Sequence, residues 1–147
     1  LSLAPDNATN LLVANGDIIT NQPLAPISDL HHKTGAIGTI MLVPYNSQYG
    51  IVESNNQNIV TKFTEKGPLP FWINAGVYLF NRQIESLLPD LGDHETTTFQ
   101  DLASEGRLAA YHSSSTWTSI ESPKDLNDIS DQITKGHIKL TAMPEQD

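Results

Sequence analysis

Asp17 is the first residue in this chain whose type and position could do chemistry. It ends the stretch Leu-Leu-Val-Ala-Asn-Gly-Asp at residues 11–17, so a carboxylate follows an apolar run at a turn that Gly16 allows to be tight. Such a carboxylate, at the C-terminal end of a strand, suits Mg²⁺, which takes one or two protein carboxylates and completes its shell with water and phosphate oxygens. An ordinary Asx-turn without a ligand is the alternative that the residues alone leave open.

Glu65 and Lys66 form a second candidate binding site, in which the ammonium group of a lysine, which attracts phosphate, lies next to a carboxylate in the sequence. Neighbouring residues of a strand point to opposite faces, so both side chains reach one ligand only if the strand ends or bulges there. The Gly67-Pro68 step that follows predicts such an end. A solvated charge pair at the edge of a hairpin is the alternative.

Asn74 and Gly76 enclose an Ala in a segment that is otherwise apolar. Glycine within a strand weakens it unless something must approach the backbone closely. The sequence therefore predicts either a site where a ligand nears the backbone, or a bulge or small residue packed under a helix.

The elements that must position these residues are predicted from hydrophobic periodicity and from turn residues. A strand, a helix and a strand within the first 43 residues predict a βαβ crossover, and hence an α/β class with a partly parallel sheet. Ligands of such sheets collect at the carboxyl ends of the strands, where Asp17 is expected. The predicted strands are 11–14, 36–43, 50–53, 58–66 (a hairpin with the preceding one), 71–80, 107–111 and 116–120; the predicted helices are 23–34, 82–88, 98–104 and 122–134.

Composition excludes several classes of protein. With 147 residues the chain is predicted to be one domain, and its formal net charge of −9 argues against nucleic-acid binding, which needs a basic face. The sequence has no cysteine, which excludes disulfides and fits a reducing compartment. We find no stretch typical of a transmembrane helix or a signal peptide, and so predict no membrane contact and a cytoplasmic location.

His31 and His32 stand at the end of a predicted helix, where adjacent residues do not share a face. We interpret them as histidines favoured by the helix dipole rather than as zinc ligands.

Taken in order, the motifs at Asp17, at Glu65-Lys66 and at Asn74–Gly76 resemble those of the sugar-1-phosphate nucleotidyltransferases, which make nucleotide-sugars such as GDP-mannose. The resemblance runs from about residue 11 to about residue 133. It implies the nucleotide-diphospho-sugar transferase fold, with a mixed, mostly parallel, Rossmann-like sheet and flanking helices. It also implies transfer of a nucleotidyl group from a nucleoside triphosphate to a hexose-1-phosphate, with Mg²⁺ as cofactor.

The resemblance also implies roles for single residues. Asp17 corresponds to the aspartate that binds the catalytic Mg²⁺, and Lys66 to the lysine that contacts the sugar phosphate. The residues that correspond to sugar-binding positions are Gly50, Glu65, Asn74 and Gly76.

A second metal ligand is where this chain departs from the family. Residues 117–126 align with the family pattern Trp-x-Asp-Ile-Gly-Thr-Pro-x-Asp-Leu, whose first Asp is a metal ligand, but here Ser119 replaces that Asp and Glu121 replaces the Gly. Three alternatives stay open: Glu121 supplies the charge from two positions on, which is the same face of a strand, a water bridges Ser119 to the ion, or the site is impaired.

The family's nucleotide-binding loop, G-x-G-T-R-L-x-P, does not occur in the 147 residues. We therefore predict that residues 1–136 are the C-terminal, sugar-phosphate-binding portion of a nucleotidyltransferase domain that lacks its N-terminal nucleotide-binding part, and that 137–147 is a polar tail. The chain alone is expected to be inactive, and an exposed sheet edge could make it a homo-oligomer. The alternative is a non-catalytic sugar-phosphate-binding or regulatory module. Among the enzymes, a mannose-1-phosphate guanylyltransferase is favoured over the glucose-1-phosphate thymidylyl- and uridylyltransferases.

Overall fold

The computed structural model describes residues 4–5 and 7–138 of the 147-residue chain. The predicted elements occur in the predicted order, although the short strand Ile18–Thr20 is not among them, the predicted helix at 82–88 is a 3-10 helix, and several strands are longer or shorter than predicted. In chain order the elements are β1 (Asn10–Ala14), β2 (Ile18–Thr20), α1 (Leu24–Thr34), β3 (Gly38–Ser47), β4 (Ile51–Ser54), β5 (Val60–Thr64), β6 (Gly67–Asn81), a 3-10 helix (Arg82–Ser86), α2 (Thr98–Ser104), β7 (Leu108–His112), β8 (Trp117–Ser119) and α3 (Pro123–Thr134).

The central sheet has four strands in the order β1-β6-β3-β7. β6 is antiparallel to both of its neighbours, whereas β3 and β7 are parallel. Within the described residues, three strands therefore run in one direction and β6 opposes them, so one of the three adjacent pairs is parallel. The sheet is mixed as expected, but it is not mostly parallel, because β6 is inserted antiparallel between β1 and β3. The predicted mixed α/β class is confirmed. The crossover through α1 joins two strands of the same direction, but β6 lies between them.

The ends of the helices follow from local sequence. α1 stops at Gly35, whose φ of +63° is the left-handed conformation and whose N–H donates to the carbonyl of His31. At α3, Ser122 is the N-cap and accepts a hydrogen bond from the N–H of Asp125, while Pro123 occupies the first helical position. Both boundaries agree with the prediction.

His31 lies on the inner side of α1 and is buried. Its Nδ1 lies 2.9 Å from Oγ1 of Thr39, which is also buried. Burial, followed by the charge of His32, lowers the pKa of His31. Interpreting His31 as a charged residue favoured by the helix dipole is therefore wrong, because its surroundings disfavour the cation.

Two apolar clusters cover the two faces of the sheet, and β6 contributes alternate residues to each. Tyr78 and Phe80 on β6 are both buried in one of these clusters. The cluster beside α2 contains Leu11, Ile37, Tyr78, Phe80, Ile84, Phe99 and Leu102. The cluster beside α1 contains Ile27, Met41, Val43, Ala75 and Val77.

Two smaller ladders lie outside the main sheet. β2 pairs with β8, and β4 pairs with β5 as the predicted hairpin. All residues of β5 are exposed, as are most of β4. Within the described residues β1 is an outer strand of the sheet, and Leu12 on it is 52% exposed.

The predicted tail begins differently from expectation, because Ile138 is buried; residues 139–147 of that tail lie outside the described residues. No helix in the described part of the chain has both the length and the apolar character that crossing a membrane requires.

Candidate functional site

Asp17 lies in the turn between β1 and β2, as predicted from its place after an apolar run. The N–H of Asn15 donates to the carbonyl of Gly76 at 2.8 Å, and the carbonyl of Asp17 accepts from the N–H of Ile120 at 2.8 Å. Asp17 itself is exposed. The backbone of this turn is therefore held at Asn15 by β6 and at Asp17 by the residue after β8. The Asp17 side chain remains accessible to a ligand.

Gly76 is needed because the turn before Asp17 packs against it. Its φ is +69°, and a Cβ built on it would lie 2.7 Å from Nδ2 of Asn15. Ile40 pairs with Tyr78 and Leu42 with Asn74, so β6 bulges between these pairs. The predicted bulge is thus present, and the group that approaches Gly76 is the protein's own Asn15; approach of a ligand to this backbone stays a prediction.

Asn74 has a side chain that is already hydrogen-bonded inside the protein. Its Nδ2 donates to the hydroxyl of Tyr78 and to Oε1 of Glu95, both at 2.8 Å, and its Oδ1 accepts from the N–H of Gly76 at 3.0 Å. Both amide hydrogens have partners, which leaves a lone pair of the oxygen for any ligand. Sugar binding by Asn74 stays a prediction.

Glu95 completes this network, and sequence reasoning missed it. The Tyr78 hydroxyl donates to Oε1 of Glu95 at 2.8 Å. Burial is the largest cause that raises the pKa of Tyr78 to about 12, so the hydroxyl keeps its proton for this bond. Glu95 lies in the loop before α2, and no sequence pattern indicates that it contacts Asn74. Its position depends on the packing of the Phe99 ring against Tyr78, with centroids 5.3 Å apart.

Ser119 and Glu121, the candidates for the second metal ligand, are close together. The Ser119 hydroxyl donates to Oε1 of Glu121 at 3.1 Å, in agreement with the prediction that they share a face. In the β2–β8 ladder Ser119 pairs with Ile18, the neighbour of Asp17. The fold therefore brings all three predicted ligand residues to one end of this small ladder.

A cleft of about 520 Å³ is lined by Ser119 and Glu121, whereas Asp17 is not among its lining residues. Trp117 forms part of its wall, and its Nε1 donates to the carbonyl of Ala75 in the β6 bulge at 2.8 Å. The lining also includes Pro44, Tyr45, Asn46, Gln48, Ile73, Thr118, Ser119, Glu121 and Asp125.

Asp125 anchors this wall of the cleft. Its Oδ2 accepts from the Ser122 hydroxyl at 2.8 Å and from the N–H of Glu121 at 3.2 Å. The bond from Ser122 is the main cause that lowers the pKa of Asp125. Because the Asp125 side chain, in the first turn of α3, binds both the N-cap Ser122 and the backbone N–H of Glu121, the start of the helix fixes the position of Glu121 after β8.

The donor set at Asp17, Ser119 and Glu121 consists only of oxygen atoms. Mg²⁺ prefers such ligands and needs one or two protein carboxylates when phosphate and water complete its shell. Over residues 4–5 and 7–138 no three His, Cys, Asp or Glu side chains converge on one point. The residues therefore fit an ion that is shared with a phosphorylated ligand better than one enclosed by protein.

Glu65 and Lys66 form the bend between β5 and β6. The strand therefore ends before them, which is the condition for both side chains to reach one ligand. Both residues are exposed, and Lys66 has a φ of +52°. β6 then starts at Gly67, opposite Ser47 at the end of β3. The bend thus lies beside the segment of β3 that contributes to the cleft.

Gly50, the remaining predicted sugar contact, precedes β4. A Cβ on it would lie 2.6 Å from Cζ of Phe63, so the ring of Phe63 covers its backbone. Contact between Gly50 and a sugar stays a prediction.

The sequence matches the nucleotidyl transferase family over residues 1–136. The chain therefore belongs to this family, and the resemblance to sugar-1-phosphate nucleotidyltransferases is confirmed. It is 35% identical over 136 residues to the mannose-1-phosphate guanylyltransferase catalytic subunit beta of Dictyostelium discoideum, covering 85% of this chain and 37% of that protein. It is 34% identical over 124 residues to a mannose-1-phosphate guanyltransferase of Aspergillus fumigatus, covering 77% and 33%.

Solved structures agree on the fold. A Bacillus anthracis protein assigned as a glucose-1-phosphate thymidylyltransferase, crystallised with sucrose, superposes with a TM-score of 0.58 at 16% identity, covering 92% of this chain and 58% of that one. Overall, the chain spans about a third of the length of the curated relatives it matches.

Proposed function

We propose that this chain forms the sugar-phosphate- and metal-binding part of a sugar-1-phosphate nucleotidyltransferase. The observation that carries the proposal is that Asp17, Ser119 and Glu121 lie at one end of the β2–β8 ladder, where Ser119 and Glu121 also line an open cleft. In the reaction, a phosphate oxygen of hexose-1-phosphate attacks the α-phosphorus of a nucleoside triphosphate. The new P–O bond forms as the α–β phosphoanhydride bond breaks, and pyrophosphate leaves with the electron pair.

The protein's own contribution is position and charge. Asp17, with Ser119 or Glu121, would hold Mg²⁺, which when bound neutralises phosphate charge. Lys66 would bind the sugar phosphate from the bend before β6. Sugar hydroxyls would be bound by Glu65, by Asn74 and by the backbone at Gly50 and Gly76.

Guanylyl transfer to mannose-1-phosphate is our first choice of reaction. The support is the activity for which the two relatives above are named, each at least 34% identical to this chain. Transfer of thymidylyl or uridylyl groups to glucose-1-phosphate is the next choice.

A non-catalytic sugar-phosphate-binding or regulatory module is the second candidate, and Ser119 supports it. A hydroxyl stands where the family has a metal-binding carboxylate, and it donates to Glu121 rather than adding a charge of its own. Such a module would bind a sugar phosphate with little dependence on Mg²⁺.

Calorimetric titration of this chain with mannose-1-phosphate, with and without MgCl₂, distinguishes the two candidates. The enzyme proposal expects Mg²⁺ to tighten binding and expects Lys66→Gln to weaken it by about tenfold, as loss of a charged hydrogen bond would. Lys62→Gln is the matched control, because Lys62 is a hairpin lysine already paired with Glu53 at 2.8 Å. An affinity for mannose-1-phosphate that is the same with and without Mg²⁺ would favour the non-catalytic module. Pyrophosphate release by the full-length parent protein then tests the reaction.

A further inference from the structure

We propose that Glu95 is a positioning residue for Asp17, acting through Asn74 and Gly76; its importance for ligand binding rests on the function proposed above. A continuous series of hydrogen bonds begins in the loop before α2 and ends in the turn after β1 that contains Asp17.

The first step is the anchoring of the Glu95 carboxylate. Its Oε1 accepts from Nδ2 of Asn74 and from the hydroxyl of Tyr78, both at 2.8 Å. Tyr78 is only 1% exposed and stacks on Phe80 with centroids 5.5 Å apart. The Tyr78 hydroxyl therefore has a fixed position, and its hydrogen bond holds the Glu95 carboxylate in place.

The Glu95 backbone is held as well. Its N–H donates to Oδ1 of Asp93 at 2.8 Å, and the hydroxyl of Thr97 donates to the carbonyl of Asp93 at 2.9 Å. These bonds form a compact turn, so little conformational entropy remains to be lost when the carboxylate binds Asn74.

The second step is the orientation of the Asn74 amide. With its NH₂ group directed to Tyr78 and Glu95, its Oδ1 must face the N–H of Gly76, at 3.0 Å. A flipped amide would place NH₂ against the N–H of Gly76, leaving that N–H without an acceptor, and would place Oδ1 against the Glu95 carboxylate, where two acceptors would face each other. An ionised carboxylate can accept hydrogen bonds but cannot donate them. Glu95 thus selects the orientation of the Asn74 amide in which Oδ1 accepts from the N–H of Gly76.

The third step carries this selection to Asp17. Gly76 has a φ of +69°, and its carbonyl accepts from the N–H of Asn15 at 2.8 Å. Asn15 begins the turn that contains Asp17, and the other side of that turn is bound by Ile120. A Gly76 peptide freed from Asn74 would loosen the first of these two attachments.

Glu95 could instead act through its charge, and one substitution separates the two roles. Glu95→Gln keeps an oxygen that accepts from Asn74 and Tyr78 but removes the charge. Glu95→Ala removes both. If Glu95 acts by positioning, Glu95→Gln should keep the amide protection and ligand binding that Glu95→Ala loses. If it acts through its charge, both variants should lose ligand binding to the same extent.

Amide hydrogen exchange, measured by NMR at Asn15 and Gly76 of this chain, is the direct test. We expect Glu95→Ala to speed exchange at both amides by about tenfold, and Glu95→Gln to change it less than about twofold. Thr98→Val is the matched control. It removes a bond from the Thr98 hydroxyl to the Leu87 carbonyl at 2.7 Å, on α2, and should lower the unfolding midpoint without changing these two amides.

Titration with mannose-1-phosphate and MgCl₂ supplies the second readout. Glu95→Ala should weaken binding by about tenfold and Glu95→Gln should restore it. Unchanged exchange at Asn15 and Gly76 in Glu95→Ala would overturn the proposal, and so would equal loss of binding in both variants with the amides still protected. If the wild-type chain binds no sugar phosphate, the proposed function fails, and hydrogen exchange still decides the positioning role.

Discussion

The turn at Asp17 and the bend at Glu65-Lys66 both end a strand, yet the protein holds them in different ways. The first is bound to Gly76 and Ile120 and lies against a buried bulge of β6. The second joins an exposed strand to β6, and its lysine has a left-handed backbone. Few buried contacts support the hairpin, whereas two apolar clusters support the sheet.

This difference suggests a division of tasks within the proposed site. A metal ligand must keep its geometry, and the Asp17 turn is fixed by bonds that do not involve a ligand. Exposed segments with few apolar contacts open at low free-energy cost, so the bend at Lys66 can adapt to a sugar phosphate. Substitutions matched across the two regions test this division.

The largest contrast is expected between the two close-approach glycines. Gly76→Ala should lower the free energy of unfolding by about 2 kcal/mol, because its φ of +69° is unfavourable for a side chain and the new Cβ would contact Asn15. Gly50→Ala should cost about 0.5 kcal/mol or less, because the contacting atom belongs to Phe63, which is 63% exposed and can move. Urea denaturation measures both. Equal losses would mean that the hairpin is as constrained as the sheet.

Tyr78→Phe should lower the free energy of unfolding by about 1 kcal/mol at neutral pH, because Asn74 loses an acceptor and Glu95 a donor. Folding raises the pKa of Tyr78 from 10 to about 12. The stability linked to its proton is thus complete below pH 10 and lost as the pH rises towards 12. Thermal unfolding across this range should show the loss in wild type and a weaker one in Tyr78→Phe. Tyr49→Phe, on an exposed tyrosine next to the hairpin, is the control.

On the α1 face of the sheet, His31 predicts sensitivity to acid. Burial lowers its pKa below the ordinary 6.5, so below that pH the unfolded chain binds a proton that the folded chain resists. Stability should be complete above pH 6.5 and fall as the pH drops below it. His31→Gln should flatten this part of the profile of unfolding midpoint against pH. His32→Gln, one residue away and exposed, should retain most of the slope, and an identical slope in all three proteins would contradict the assignment.

The smallest effect is expected in the hairpin. Lys62→Gln removes the ion pair between Lys62 and Glu53, in which both side chains are mostly exposed. Solvent screens such pairs, so calorimetry should find the unfolding midpoint unchanged within error. A clear decrease would show that the hairpin is held more firmly than its exposure indicates.

Local features of the sequence were sufficient for much of this structure. Ser122 and Pro123 predict the start of α3, Gly35 predicts the end of α1, and the polar residues 54–57 predict the β4–β5 hairpin. Asp17 follows an apolar run and lies in the turn after a strand, as predicted. In each case the cause acts within a few residues, through a cap, a left-handed glycine or a turn, so the sequence states it directly.

Contacts between distant residues depended on the tertiary structure. The insertion of β6 between β1 and β3, the burial of His31 against Thr39 and the bond from Asn74 to Glu95 have no local sequence signal. They arise because the two faces of β6 must both be covered, which brings α1 to one side and α2 to the other. The sequence thus determined which residues could bind a metal and a phosphate, while long-range packing decided how firmly each of them is held.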